Sequence, residues 1–309
     1  MFFRDTFSRS SSPPTWKGRG WGWGGNRSTF IRWYRLVGAD CYHTLDYALT
    51  IYLGTQGWSY KDWVGSFYPA GTAARDFLAC YAQQFGAVEL DTTFYGTPTP
   101  SRVRTWFDVT PDDFLFTAKV PRSITHDRHL VDCREDFEEF VAIMRLLGHK
   151  LGPILIQLPP DFTAGERPAL EAFLRLLPAE YRFAAEFRHR SWLTEETDEL
   201  LHQHRVAWTI IDLSFMPQRA VLTTDFTYVR WLGDRRKIVR MNETQLDRTA
   251  ELDAWAQSLS AIAKEVVHVH GFVNNHYSGH SPADVRYLRR QLGIPAPAGA
   301  EHLEQRSLL

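Results

Sequence analysis

The chain has 309 residues, with 35 Lys and Arg set against 36 Asp and Glu, and is 44% hydrophobic and 23% charged. That length can bury a large core as two ordinary domains or one α/β barrel, and the composition excludes wholesale disorder. Near-neutral charge argues against a globally basic nucleic-acid binder, no apolar run nears the ~18 residues of a bilayer crossing, and Cys41, Cys80 and Cys133 are too scattered for a disulfide framework or a cysteine zinc site.

Residues 1–49 carry seven Arg and Lys against three Asp, a serine cluster (Ser8, Ser10, Ser11, Ser12), Pro13-Pro14, and Trp21-Gly22-Trp23-Gly24-Gly25. No apolar period runs through them, and Gly and Pro interrupt helix and strand alike, so this segment reads as a disordered, low-complexity basic extension. A basic nucleic-acid-binding arm is the sharper alternative. From residue 50 onward, short apolar runs recur at 50–54, 87–94, 115–120, 154–158, 183–187, 207–213, 228–232 and 266–272. Helix-like stretches lie between them at 73–85, 101–107, 134–147, 166–177, 194–204, 244–264 and 282–292. Only the gap between the sixth and seventh runs is too short for a helix. Apolar strands alternating with helices indicate a parallel sheet covered on both faces, and eight such units suit a (β/α)8 barrel over 50–294 in a single domain, with 295–309 as a tail. An open doubly wound sheet would place a Gly-rich phosphate turn after one strand, and none is present.

In a barrel, function sits at the C-terminal ends of the strands. Those positions hold Trp58 and Tyr60 after the first run, Glu89 with Asp91 and Tyr95 at the second, Lys119 at the third and Gln157 at the fourth. Glu186 with Arg188 follows at the fifth, Asp212 at the sixth, Arg230 at the seventh, and Asn274-Asn275-His276 after the eighth. Charges buried in apolar runs are costly unless paired, so a row of them at matching strand ends implies a shared cavity. A ring of structural salt bridges is one reading and a ligand pocket flanked by Trp58, Tyr60 and Tyr95 is the other.

The motifs Gly54-Thr55-Gln56-Gly57-Trp58-Ser59-Tyr60, Phe67-Tyr68-Pro69, Glu89 with Thr93-Phe94-Tyr95, and Lys119 with Ile124-Thr125-His126 resemble the YecE-like family, domain of unknown function 72. So do Gln157-Leu158-Pro159-Pro160, Glu186-Phe187-Arg188, Ser191-Trp192, and Asn274-Asn275-His276 with Gly279-His280 and Ala283. The resemblance spans about residues 50–293 and implies a TIM-type barrel in an intracellular, cytoplasmic bacterial protein. It implies no activity. Two departures stand out: Gln56 where Ser is commoner, and His268 and His270 where Tyr is expected.

Residue chemistry points to an enzyme of hydrolase or isomerase type, acting by acid–base catalysis on a small polar or anionic, sugar- or nucleoside-like substrate. Glu89 and Glu186 form the most economical acid–base pair, because two carboxylates in different settings can hold different pKa values. Lys119 and Arg230 stabilise negative charge, or Lys119 is an imine-forming nucleophile; Arg188 joins an anion clamp. His276 relays protons, Asn274 and Asn275 orient the substrate, and Trp58, Tyr60 and Tyr95 supply stacking, with Gln157 and Asp212 completing the wall. No cofactor is required by the sequence, although Glu89, Glu186, Asp212 and His276 could hold a divalent metal. Nucleic-acid processing and non-catalytic small-molecule binding remain as alternatives, with no membrane role.

Overall fold

Eight parallel strands close on themselves in the computed structural model, which describes residues 50–295 and the backbone of residues 31–33. They are β1 (Thr50–Gln56), β2 (Ala87–Leu90), β3 (Leu115–Lys119), β4 (Leu151–Gln157), β5 (Phe183–Glu186), β6 (Val206–Asp212), β7 (Phe226–Trp231) and β8 (His268–Val273). Each pairs with its successor, and β8 returns to β1 with His268 opposite Thr50 and Val273 opposite Thr55, so no barrel edge is left open. The chain therefore adopts the (β/α)8 architecture that its periodicity indicates. The expected disorder of 1–49 and the tail beyond 295 lie outside the described residues. The exception is the backbone of Ile31–Trp33, which pairs in parallel with Ala220–Leu222.

The outer layer consists of α1 (Phe77–Ala82), α2 (Pro100–Val109), α3 (Arg134–Met144), α4 (Arg167–Leu174), α5 (Glu195–Gln203), α6 (Thr249–Ile262) and α7 (Ser281–Gln291). Their starts follow local chemistry. Thr99 caps α2 ahead of Pro100, Thr194 caps α5, and Thr163 with Glu166 forms a capping box in the turn leading to α4. The end of α2 is closed by Lys150, whose ammonium donates to the carbonyls of Phe107 at 2.6 Å and Thr110 at 2.8 Å. Where the β6–β7 gap is too short for a helix, Arg219 grips the buried Asp198 carboxylate of α5 through two guanidinium nitrogens. Thr223 there accepts from Trp208 N at 2.9 Å and donates to Val206 O at 2.6 Å, tying the connection to β6.

The β1–β2 seam explains Gly54 and Tyr81. Ladder pairing begins only at Thr55 opposite Val88, and a Cβ on Gly54 would lie 2.0 Å from the Ala87 carbonyl oxygen. Into the gap α1 inserts the Tyr81 hydroxyl, which accepts from Thr55 N at 2.9 Å and donates to Ala87 O at 3.0 Å. One phenol thus replaces a missing ladder rung. Tyr81→Phe keeps the ring packing and strands both backbone groups; we expect a loss of about 2 kcal/mol in urea-monitored stability, and no loss would show that the rung is dispensable.

Alternate residues of each strand point into the lumen. Ala87, Leu155, Ala184, Ala207, Phe226, Tyr228 and Phe272 fill its lower part. His270 is buried there, stacked on Tyr52 with ring centroids 5.2 Å apart, and neither of its ring nitrogens reaches a hydrogen-bond partner among the described residues. Burial, together with His268 and Arg182, holds its pKa well below the usual imidazole range, so it is a neutral plug. Above this apolar floor the same inward positions become charged.

Candidate functional site

Arg230, two residues beyond Tyr228 on the same face of β7, lies at the centre of the barrel mouth with 2% exposure. Its guanidinium grips Glu89 of β2 in bidentate fashion, Nε to Oε2 at 3.0 Å and Nη2 to Oε1 at 2.7 Å. Its remaining nitrogen donates to Oε2 of Glu186 on β5. The other Glu186 oxygen accepts from Arg188 Nε at 2.6 Å. From below, the Tyr228 hydroxyl donates to Glu89 Oε2 at 2.7 Å and meets Thr117 Oγ1 of β3 at 2.8 Å. Four strands are thereby locked by one polar network in which every carboxylate oxygen has a charged donor, as buried charge requires.

The two carboxylates titrate differently. Burial pushes the Glu89 carboxyl up from its usual range against the pull of Arg230. Glu186 is subject to the same burial, but Arg230 and Arg188 outweigh it and take it down to about 2. The asymmetry expected of an acid–base pair is therefore present. Both carboxylates are nonetheless fully buried, with no oxygen left for a substrate.

Lys119 differs. It is 6% exposed, and no hydrogen bond or ion pair reaches its Nζ among the described residues; the ammonium instead lies 3.7 Å from the centroid of the Phe94 ring. A 3₁₀ turn over Asp91–Tyr95 places Phe94, and Thr93 in the same turn fastens the lysine backbone by accepting from Lys119 N at 3.0 Å and meeting Lys119 O at 2.7 Å. Burial, seconded by Arg230, lowers the Lys119 pKa to about 8. His126 packs edge-on against the same Phe94 ring at 4.9 Å. Burial, followed by Lys119 and Arg188, takes its pKa down to about 4, so it is neutral at pH 7. With the Thr125 hydroxyl donating to Pro121 O at 3.3 Å, His126 Nδ1 donates to it at 2.8 Å, and the Nε2 lone pair of that tautomer has no partner among the described residues.

The structure thus gathers Glu89, Lys119, Glu186, Arg188 and Arg230, with Gln157 beside Glu186 in register. Gln157 makes one long contact, 3.5 Å to Leu158 O. Asn274 joins through Gln56, donating to its Oε1 at 2.8 Å, and Tyr60 donates to the Gln56 carbonyl at 2.8 Å. The other candidates have their partners outside this network, except that Asn275 also hydrogen-bonds to the Tyr60 side chain. Asp212 accepts from Trp255 Nε1 at 2.9 Å and Tyr277 OH at 3.2 Å, tying β6 to α6. Asn275 accepts from Ser281 N and Oγ at the start of α7. His276 makes a backbone turn with Asn274 Oδ1 at 2.9 Å, and no hydrogen bond or ion pair joins it to the ring. Trp58 abuts Trp106 of α2 edge-on at 5.7 Å, and Tyr95, 82% exposed, stands on the rim, so no stacking wall is assembled. Sequence reasoning left Tyr228, Phe94 and His126 out of the site. Tyr228 is signalled by its two-residue spacing from Arg230; the other two stand in the motifs Thr93-Phe94-Tyr95 and Ile124-Thr125-His126, which carry the family resemblance without giving either a role.

Among the described residues no group of three or more His, Cys, Asp or Glu side chains is arranged to hold a metal ion, because Asp212 and His276 lie outside the ring. No described helix is long and apolar enough to cross a membrane. A surface cavity of about 530 Å³ lies at the start of α3, between Arg128, Cys133 and Phe173, and none of the mouth residues lines it.

A barrel with a charged network at the mouth defines the class; the sequence comparisons define the family. The model of the family described as "Protein of unknown function DUF72" matches residues 52–306, and the chain belongs to that family. It is similar to UPF0759 protein YecE of Escherichia coli (strain K12), 36% identical over 167 residues that cover 52% of this chain and 59% of that protein. UPF0759 protein YunF of Bacillus subtilis (strain 168) is 33% identical over 151 residues, covering 47% and 52%. The matched region thus spans little more than half the length of these curated relatives. Among solved structures, a DUF72 family protein from Thermotoga maritima MSB8 superposes with a TM-score of 0.69 at 30% identity, covering 79% of this chain and 99% of that one. One from Enterococcus faecalis V583, at 20% identity and a TM-score of 0.67, covers 80% and 96% and shares the fold.

Proposed function

We propose that the barrel mouth is an enzyme active site for a small polar substrate carrying an anionic group, and that Lys119 is the side chain that meets it. The observation that carries this reading is the contrast between a Glu89–Arg230–Glu186–Arg188 network in direct contact and a buried ammonium beside it that no carboxylate among the described residues reaches at ion-pair distance, Asp91, Glu186 and Glu89 acting on it only from further off. Anion binding supplies the missing partner, which turns a desolvation cost into a charge-assisted contact. His126, neutral with an open Nε2, is the proton acceptor within this mouth. In this scheme Glu89 and Glu186 hold the electrostatic frame and do not touch substrate. Recognition rests on charge, since the aromatic wall suited to a sugar or base is not assembled.

The test is melting of the full chain with a panel of small carboxylates and phosphates. A ligand at one hundred times its Kd stabilises by about 2.7 kcal/mol, or roughly 5–10 °C for a domain of this size. We expect such a shift in the wild type and its disappearance in Lys119→Met. Equal shifts in both proteins, or none in either, overturn the reading. Nucleic-acid binding is less well supported: in the basic loop after β7, Arg236 is paired with Asp234 and Arg240 with Glu243.

A further inference from the structure

The other buried lysine shows how this chain treats an ammonium that has only a structural task. Lys150 is 3% exposed, and its Nζ is spent on the Phe107 carbonyl, the Thr110 carbonyl and Thr110 Oγ1. Lys119 is buried too, at 6%, and donates to no protein acceptor among the described residues. The Phe94 face that supports it accepts no hydrogen bond of ordinary strength, and burial, then the positive charge of Arg230, disfavour the protonated form against the opposing pull of Asp91, Glu186 and Glu89. An amine that is buried, seated on an aromatic ring and donating to no protein acceptor among the described residues has the setting of a nucleophile. Arg188 adds a second feature. Its Nε holds Glu186, it is partly exposed, and its two terminal nitrogens have no protein acceptor among the described residues.

We infer that Lys119 forms a covalent imine with a small aldehyde or ketone that bears a carboxylate or phosphate, the anionic group docking on Arg188. The inference rests on the mouth being the ligand site and goes further by naming the bond formed: the anion is held by Arg188, which leaves Lys119 to meet the carbonyl as the neutral amine. The neutral Lys119 nitrogen attacks the carbonyl carbon, and the carbonyl oxygen takes up a proton to give a carbinolamine. The nitrogen proton lost in that step goes to His126 Nε2 and is returned to the hydroxyl, which leaves as water to give the protonated imine; the proton first taken up by the carbonyl oxygen comes from solvent. No oxidant or reductant enters. With its pKa near 8, Lys119 at pH 7 exposes about two hundred times more free amine than an ordinary lysine.

The chain's lysines are Lys17, Lys61, Lys119, Lys150, Lys237 and Lys264, which makes the site of reaction easy to map. The full chain is treated at pH 7 with glyoxylate and cyanoborohydride, which converts an imine into carboxymethyl-lysine, and peptides are quantified by mass spectrometry. Lys119 is expected to be labelled at least tenfold faster than Lys61 or Lys237, with the rate rising as pH approaches 8. Acetaldehyde, with the same carbonyl and no charge, is expected to lose most of that selectivity, and Arg188→Gln to slow glyoxylate but not acetaldehyde. Lys119→Arg, which keeps the charge and the fold, abolishes the fast label while the other lysines react as before. Labelling of Lys119 no faster than Lys61 overturns the imine. If glyoxylate still raises the wild-type melting temperature and not that of Lys119→Met, imine formation alone has failed; if it raises neither, the ligand-site reading has failed with it.

Discussion

Arg230→Met is expected to lower the melting temperature by about 10 °C. The substitution leaves Glu89 and Glu186 fully buried, one facing only Tyr228 and the other only Arg188. Breaking a buried pair by removing one partner typically costs 3–5 kcal/mol, because the remaining charge keeps its desolvation penalty, and here one arginine serves two carboxylates. At 2–4 °C per kcal/mol for a domain of this size, that penalty is visible in a simple melt. The triple variant Glu89→Gln, Arg230→Met, Glu186→Gln removes all three charges and should recover most of the loss. A single variant as stable as the wild type would mean that the network is solvated. Glu186→Gln alone should also destabilise, since it weakens both Arg230 and Arg188. Loss of turnover in that variant therefore cannot by itself assign Glu186 to catalysis.

The barrel was legible because a parallel strand buried on both faces is written as a contiguous apolar run, and the spacing of eight such runs leaves few closures. Charges were legible for the same reason: Glu89, Lys119, Glu186 and Arg230 stand out against their apolar neighbours. Which charge pairs with which was not, since it depends on inward parity and register across the lumen. Asp212 shows the limit. It follows an apolar run as the others do, yet it falls one residue out of phase with the inward-facing Thr209 and Ile211 and turns to Trp255. The role of Phe94 depends on a 3₁₀ turn over Asp91–Tyr95, where the apolar run suggested continued strand. His270, which stands where the family resemblance leads one to expect Tyr, is enclosed by Tyr52, Phe226 and Tyr228 as a neutral ring.

Asp284→Asn is expected to gain about 3 kcal/mol of stability relative to the wild type between pH 5 and pH 8. Asp284 lies in the first turn of α7, 4% exposed, with the Ser278 hydroxyl donating to its Oδ2 at 2.6 Å. Arg248 draws its pKa down only weakly, and His280 at the cap of the same helix is neutral, its own pKa lowered to about 4 chiefly by burial. Burial therefore prevails and raises the Asp284 carboxyl to about 7, against a contribution from the helix start of about 0.3–1 kcal/mol in the other direction. A raised carboxyl favours the folded state only while it is protonated there. That stability is complete below the unfolded value of about 3.9 and drains away as pH climbs to 7. Urea titrations of wild type and Asp284→Asn at pH 5 and pH 8 measure the difference, and a gap that does not change with pH would place the ionised carboxylate in the fold throughout. The loop that Asp284 anchors through Ser278 also carries Asn274, which holds Gln56 at the mouth, so its loosening should reach the ligand site. Because this titration ends near pH 7 and that of Lys119 is centred near 8, an Asp284→Asn background separates stability from reactivity at the amine.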